Sequence, residues 1–323
     1  MSVLTRVPRA TYDRNCQIFD EFVPDADYRI GTARGMAWLA QLAYETEDAG
    51  KIAEILQQWG LALIGEVLVC SNRKDLPTAM TQGFVAQGRG ATIVAFSGTD
   101  PVLLANWATN FDIALAADGC ARGFHDAAVI ARTDVLDRLT LTDASNRLFV
   151  TGHSLGGALA VVTALSLAAQ GRAVHSVYTF GMPRPGNAAF ATTYNQALGS
   201  CTYRLVYGDD LVPTVAPSAL GFRHVGRHLH SERFGSFRHV EPDPQFGSDA
   251  PLFTDGVRKD WNHALFGLAH PVTALTQQIA PAIRILFGDA AESGRTDTVA
   301  ALIELLPPRL RDHIPDRYCF ALA

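Results

Sequence analysis

Gly152-His153-Ser154-Leu155-Gly156 sets a serine between glycines two positions to either side, a spacing that suits a hydroxyl acting as a nucleophile. At the apex of a sharp strand-to-helix turn a serine projects its Oγ clear of the backbone. The flanking positions must then be glycine, because a Cβ would collide with the crowded chain. The surroundings fit: RLFVTG (147–152) reads as a strand leading in, and GGALAVVTALSLAA (156–169) as a long apolar helix leading out. A helix beginning there turns unpaired N–H groups and its positive dipole end toward an anion forming beside Ser154. The amide of Leu155, the residue after the nucleophile, is one expected oxyanion donor. The plainer reading is a glycine-rich turn with a solvent-facing serine. His153 adjoins Ser154, but neighbours on a tight turn point apart, so it is expected to pack under the elbow rather than reach the hydroxyl.

A serine hydroxyl needs a base, and a histidine base needs a carboxylate to hold its tautomer and stabilise the imidazolium. Asp209 and Asp210 lie just past the strand-like YRLVYG (203–208), where loops carry function. Ten histidines compete for the base. His228 and His230 alternate and could share a strand face, which invites a metal reading. No cysteine or suitably spaced carboxylate completes a ligand set. Together with Arg223, Arg227, Arg233, Arg238 and His239, the stretch reads rather as a basic surface suited to anionic lipid or fatty-acid headgroups. No metal and no organic cofactor is expected.

The elements that must position these groups follow from periodicity. ARGMAWLAQLAYE (33–45) and GKIAEILQQWG (50–60) carry apolar residues at helical spacing. GLALIGEVLVC (60–70), TQGFVAQG (81–88) and ATIVAFSG (91–98) are short strand-like runs, with Gly88-Arg89-Gly90 as a hairpin turn. From there helices at 123–139, 155–170 and 186–198 alternate with strands at 147–152, 176–181 and 202–208. Such alternation predicts an α/β fold with a mostly parallel sheet covered on both faces. Beyond residue 218 it stops: a His-rich stretch to about 240 and a Pro/Asp-rich loop to about 256 precede two or three helices.

A net charge of −5, from 27 basic and 32 acidic residues, gives no reason to expect a nucleic-acid partner. The five cysteines are widely spaced without a CxxC pair and are expected to be mostly free and buried. The apolar window at 264–288 is interrupted by His270, Pro271, Gln277, Gln278, Pro281 and Arg284, so no bilayer-spanning helix is predicted. Residues 1–20 lack the apolar core of a secretory leader. That leaves the compartment open between the cytoplasm and export by a route needing no such leader.

Several pieces in order resemble the class 3 lipases, the family of the filamentous-fungal triacylglycerol lipases and many bacterial relatives. They are AFSGT (95–99), NWATNFD (106–112), RGFHDA (122–127), VTGHSLGGALA (150–160), YTFGMPRPGN (178–187), GDDLVP (208–213) and GFRHVG (221–226). The resemblance implies one α/β-hydrolase domain over 1–323, with helices on both faces of the sheet and a helical N-terminal segment. It also implies a Ser-His-Asp mechanism. The family pattern similar to D-[IL]-V-P selects Asp210 and leaves Asp209 as a solvated or turn-capping carboxylate. It carries a second oxyanion donor onto Thr99, whose loss costs on the order of 3 kcal/mol of transition-state stabilisation; a Gly-Thr turn ending a strand is the plainer reading there. Where Ser97 stands the family usually has Arg, so an ion pair is missing but no catalytic group.

The family order of Ser, then Asp, then His disfavours His125, His153 and His175, and makes His224 a structural member of GFRHVG. His263, His270 and His313 remain. The first two lie seven apart in an apolar helical window, at separations from Asp210 like those of the compact fungal enzymes. Asp312-His313 followed by Tyr318 is similar to the D-H-x-x-x-x-Y signature of bacterial members and selects His313. Residues 227–308 are then an insertion between acid and base, with 264–288 and LLANW (103–107) as candidate lids. The implied activity is cleavage of acylglycerol esters through an acyl-enzyme, on lipid or ester substrate at a lipid–water interface. A short-chain esterase, phospholipase or aromatic-acid esterase on the same scaffold is the alternative, and a non-catalytic binding protein a further one.

Overall fold

The computed structural model describes residues 5–71, 80–99, 114–240, 303 and 308–323. The expected lids at 103–107 and 264–288, the NWATNFD piece, His263 and His270 lie outside the described residues.

Among the described residues nine strands form the central sheet. In chain order its strands are β1 (Ala62–Leu63), β2 (Leu68–Ser71), β3 (Met80–Gly88), β4 (Ala91–Phe96), β5 (Arg147–His153), β6 (Val174–Phe180), β8 (Thr202–Tyr207), β10 (Arg227–Ser231) and β11 (Arg238–His239). β7 (Gly186–Asn187) and β9 (Phe222–Arg223) pair in a separate two-stranded ladder. The spatial order is β1-β3-β4-β5-β6-β8-β10-β11, with β2 also on β3. From β4 to β10 every neighbouring pair is parallel. The β3–β4 turn is Arg89-Gly90 with φ of 50° and 75°, as a two-residue hairpin demands. Arg89 is held in that conformation by donating Nε to Trp59 O at 2.7 Å.

The central parallel strands carry apolar side chains on both faces because helices cover both. Val94, Phe96 and Val150 point into one core with α4 (Arg122–Thr140) and α5 (Leu155–Ala169). Ile93, Ala95 and Phe149 point into the other, against α2 (Ile30–Leu42) and α8 (Pro315–Ala321). α5 is apolar nearly all round, the composition of a fully enclosed helix. Trp38 meets Phe320 edge-on with ring centroids 5.7 Å apart, and Arg34 Nε donates to Leu322 O at 2.6 Å. The N-terminal helical segment and residues 315–322 are thereby one packing unit.

One expectation is corrected. The stretch from 227, expected as the start of an insertion, begins as sheet: β10 pairs in parallel with β8 over five residues, with Leu229 buried in the core. The cysteines are as expected: all five are free and Cys70, Cys120 and Cys319 are buried, with Cys201 half-buried and Cys16 exposed.

Candidate active site

Because β4, β5, β6, β8 and β10 run in parallel, their carboxyl ends share one edge of the sheet, and the expected residues gather there. β5 ends at His153 and α5 begins at Leu155, so Ser154 occupies the junction alone, with φ 59° and ψ −129°. That backbone costs on the order of 1–3 kcal/mol for a residue with a Cβ. It is held by Ser154 N donating to Phe180 O at 2.8 Å. The flanking glycines are obligatory: a Cβ on Gly152 would lie 2.1 Å from Gly156 O, and one on Gly156 2.5 Å from Phe96 O. Ser154 is buried rather than solvent-facing, and its Oγ has no hydrogen-bond partner among the described residues.

Past the end of β8, Asp210 receives three donors. His313 Nδ1–H donates to Oδ2 at 2.8 Å, the Tyr318 hydroxyl donates to the same oxygen at 2.5 Å, and Val212 N donates to Oδ1 at 2.9 Å. Burial pushes the Tyr318 phenol well up, with the Asp210 charge adding to it, so the hydroxyl stays protonated and donates. It also accepts from Tyr207 N at 3.3 Å. Gly181, at φ 59°, lets the pair close, since a Cβ there would stand 2.6 Å from Asp210 Oδ2 and 2.9 Å from His313 Nδ1. Its neighbour Phe180 is the residue that binds Ser154 N, so the elbow and the His313–Asp210 pair adjoin. His313 Nε2, like Ser154 Oγ, is buried and has no partner among the described residues. Each is a buried polar atom whose unmade hydrogen bond is a cost to the fold.

The acid's loop is braced by the family-like pieces around it. His224 Nε2–H donates to Pro213 O at 2.8 Å, and Arg184 Nη1 donates to Thr214 O at 2.9 Å. His228 and His230 rings lie 6.2 Å apart, and His230 Nε2–H donates to Gly208 O at 2.9 Å. Among the described residues no group of three or more His, Cys, Asp or Glu could hold a metal ion.

Thr99 is buried, and its Oγ1 has no partner among the described residues. The preceding Gly98 packs so closely on the elbow that a Cβ would come within 2.6 Å of Ser154 Cβ. Thr99 and the helix-initiating Leu155 thus flank Ser154 from two segments.

His153 packs under the elbow, as expected, but with partners that sequence reading did not supply. Its Nδ1 shares a 2.7 Å hydrogen bond with the Tyr44 hydroxyl, and its ring faces that of His313 at 4.6 Å between centroids. Burial, and secondarily the neighbouring His313, holds His153 well below the ordinary imidazole range; burial does the same to His224, helped by Arg204 and Arg184. Both depressed values favour the neutral ring in the folded state. Their contribution to stability is therefore intact above the unfolded pKa of about 6.5 and is lost as pH falls toward the folded values. Each ring steepens that loss by up to about 1.4 kcal/mol per pH unit. Urea unfolding at pH 7.5, 6.5 and 5.5 should show stability falling with pH, with a shallower fall in His224→Gln. An equal slope in the variant would remove His224 from this account.

A parallel sheet, a strained serine elbow and an Asp–His pair at the strands' carboxyl edge are the elements of the α/β-hydrolase fold. Residues 93–219 match the family model described as Lipase (class 3). Secreted mono- and diacylglycerol lipase 1 of Fusarium solani is 34% identical over 150 residues, 44% of this chain and 44% of that protein. Secreted mono- and diacylglycerol lipase A of Penicillium cyclopium is 32% identical over 203 residues, 56% of this chain and 65% of that protein. The matches thus span about half the length of these relatives. Among solved structures, a mutant form of MDLA from Penicillium cyclopium superposes with a TM-score of 0.57 at 20% identity, over 72% of this chain and 95% of that one. The Rhizomucor miehei lipase propeptide complex does so with 0.53 at 24% identity, over 66% and 71%. Both share the fold. The relatives are named as secreted, which overturns the cytoplasmic alternative left open by the N-terminal sequence. Among the described residues no helix is long and apolar enough to cross a membrane.

Proposed function

We propose that this chain is a serine carboxylic-ester hydrolase whose substrate is an acylglycerol. The observation that carries the reading is the His313–Asp210 hydrogen bond of 2.8 Å at Gly181, next to Phe180, whose carbonyl holds Ser154 N in the elbow. In this reading Ser154 Oγ attacks the ester carbonyl while His313 Nε2 takes its proton. The carbonyl oxygen, now an anion, lies toward the amides of Leu155 and Thr99 and the Thr99 hydroxyl. His313 then protonates the departing alcohol, and the acyl group stays on Ser154. Water, deprotonated by His313, releases the fatty acid and restores the hydroxyl. Asp210 stays ionised and steadies the imidazolium in both halves.

Acylglycerol rather than a short soluble ester is supported by the names of the two relatives above, both mono- and diacylglycerol lipases, and export is supported by the same names. One rim residue favours work at a lipid surface. Phe234, fully exposed, sits in the turn that follows β10 on the same sheet edge as Ser154. The test pairs fluorophosphonate labelling of Ser154 with fatty-acid release from emulsified monoacyl-, diacyl- and triacylglycerol, set against hydrolysis of dissolved p-nitrophenyl butyrate. Labelling with faster release from emulsions is expected. Labelling with activity on the dissolved ester alone points to the esterase alternative, and no labelling defeats the hydrolase reading.

A further inference from the structure

The turn after β10 reaches back to both segments that hold the proposed acid and base. Arg233 Nε donates to both oxygens of Asp312 at 2.9 Å, and its Nη2 donates to Asp312 Oδ2 at 2.6 Å and to Asp209 Oδ2 at 3.2 Å. Asp312 Oδ2 also accepts from Asp209 N at 2.9 Å. Each carboxylate is the chain neighbour of a site residue: Asp209 precedes Asp210, and Asp312 precedes His313. One guanidinium therefore ties together two segments more than a hundred residues apart in sequence.

The surroundings are shaped for that contact. Gly208 has φ 55°, and a Cβ there would stand 2.4 Å from Asp312 Oδ2, so the chain gives up a side chain to let this carboxylate in. Gly208 N donates to Ser231 O at 2.7 Å, joining the ends of β8 and β10. The turn itself is closed by Gly235 N donating to Glu232 O at 2.9 Å and by Ser231 Oγ donating to Gly235 O at 2.8 Å. The two carboxylates are not equivalent. The Asp312 side chain is 4% exposed and that of Asp209 67%, so the Asp312 arm is the one shielded from water and salt, and the Asp209 arm is a solvated pair of small energetic weight.

We propose that Arg233 is a positioning residue for the active site: by clamping Asp312 and Asp209 it holds His313 and Asp210 in register. The proposal rests on the ester-hydrolase reading only for its kinetic readout. Misplacement of a reacting group by about 1 Å costs up to about a hundredfold in rate. Arg233→Met should therefore lower kcat on dissolved p-nitrophenyl butyrate by about tenfold to a hundredfold, per site titrated with fluorophosphonate, with KM within about twofold of wild type. Arg233→Lys should recover part of the loss, because an ammonium restores the charge but cannot span both carboxylates in a planar fork. Asp209→Asn, cutting the solvated arm, should cost less than Arg233→Met.

A second readout needs no turnover. The downfield proton resonance of His313 Nδ1–H, shared with Asp210, should broaden or disappear in folded Arg233→Met and persist in wild type. Wild-type kcat and an unchanged resonance in Arg233→Met, with only the thermal midpoint lowered, would overturn the proposal and leave Arg233 a stability residue. If Arg233→Met does not fold, Arg233→Lys decides in the same way: reduced kcat at constant KM supports the clamp, and wild-type kcat overturns it. An inert but folded wild type with the resonance intact defeats the hydrolase reading and leaves the clamp to be judged on the resonance.

Discussion

Replacing Ser154 by alanine should lower kcat on dissolved p-nitrophenyl butyrate by about 10⁶-fold, and replacing His313 by alanine should do nearly the same, because members of such a triad act as one unit. The double variant should be little worse than either single one. Ser154 Oγ and His313 Nε2 are both buried with no partner among the described residues, so on the proposed triad loss of either leaves no described substitute for nucleophile or proton acceptor. His263→Ala and His270→Ala belong in the same experiment, since the sequence offers both as rivals. They should keep turnover close to wild type. Single-turnover kinetics with fluorophosphonate titration separates lost chemistry from lost protein, and near-normal turnover in His313→Ala would remove it as the base.

Asp210→Asn should cost about 10⁴-fold in kcat at little change in KM. Three donors converge on this side chain, two of them on Oδ2. An asparagine offers one acceptor oxygen. If that oxygen takes the place of Oδ2, it can still serve Tyr318 and His313, but as a neutral group it no longer stabilises the imidazolium. If the amide turns the other way, its NH₂ faces two donors, and the ring can escape only by shifting its proton to Nε2, the nitrogen that must accept from Ser154. The first orientation weakens the base and the second removes it. Tyr318→Phe deletes one donor and leaves the carboxylate ionised, so its cost should be far smaller. Measuring kcat for both variants tests the ordering, and an Asp210→Asn enzyme within tenfold of wild type would transfer the acid's role elsewhere, with Asp209 the next candidate.

What could be read from the sequence follows the range of each interaction. The serine elbow is local, with strand, turn and helix inside about twenty consecutive residues, and its glycines are dictated by contacts within the motif and to β4. The alternation of β4, β5, β6 and β8 with helices was equally legible, because each strand between two covered faces is a short apolar run. Asp210 needed a family pattern to separate it from Asp209, and His313 needed one to separate it from His263 and His270, since the meeting of residues 210 and 313 is a product of tertiary folding. β10 was legible only in part: the alternation of His228 and His230 suggested a strand face, but RHLHS looks polar and basic, and only pairing with β8 shows Leu229 entering the core. The partnership of Tyr44 with His153, 109 residues apart, and the attachment of Arg233 to Asp312 have no local signal at all. Arg233 looked like one more member of a basic surface, because what makes it different is a carboxylate 79 residues downstream.

The tight packing of residues 315–322 against α2 bears on how the protein is made. The elbow is synthesised first and His313 comes 159 residues later (313 − 154), with the segment bearing it docking on a helix already present. At about 5–20 residues per second of synthesis, an interval of about 8–30 s separates the proposed nucleophile from the proposed base. Throughout it the nascent chain holds the elbow without the histidine it is proposed to need. On that reading hydrolytic competence begins only when the segment bearing His313 closes on α2, so a chain interrupted before residue 313 is inert toward esters.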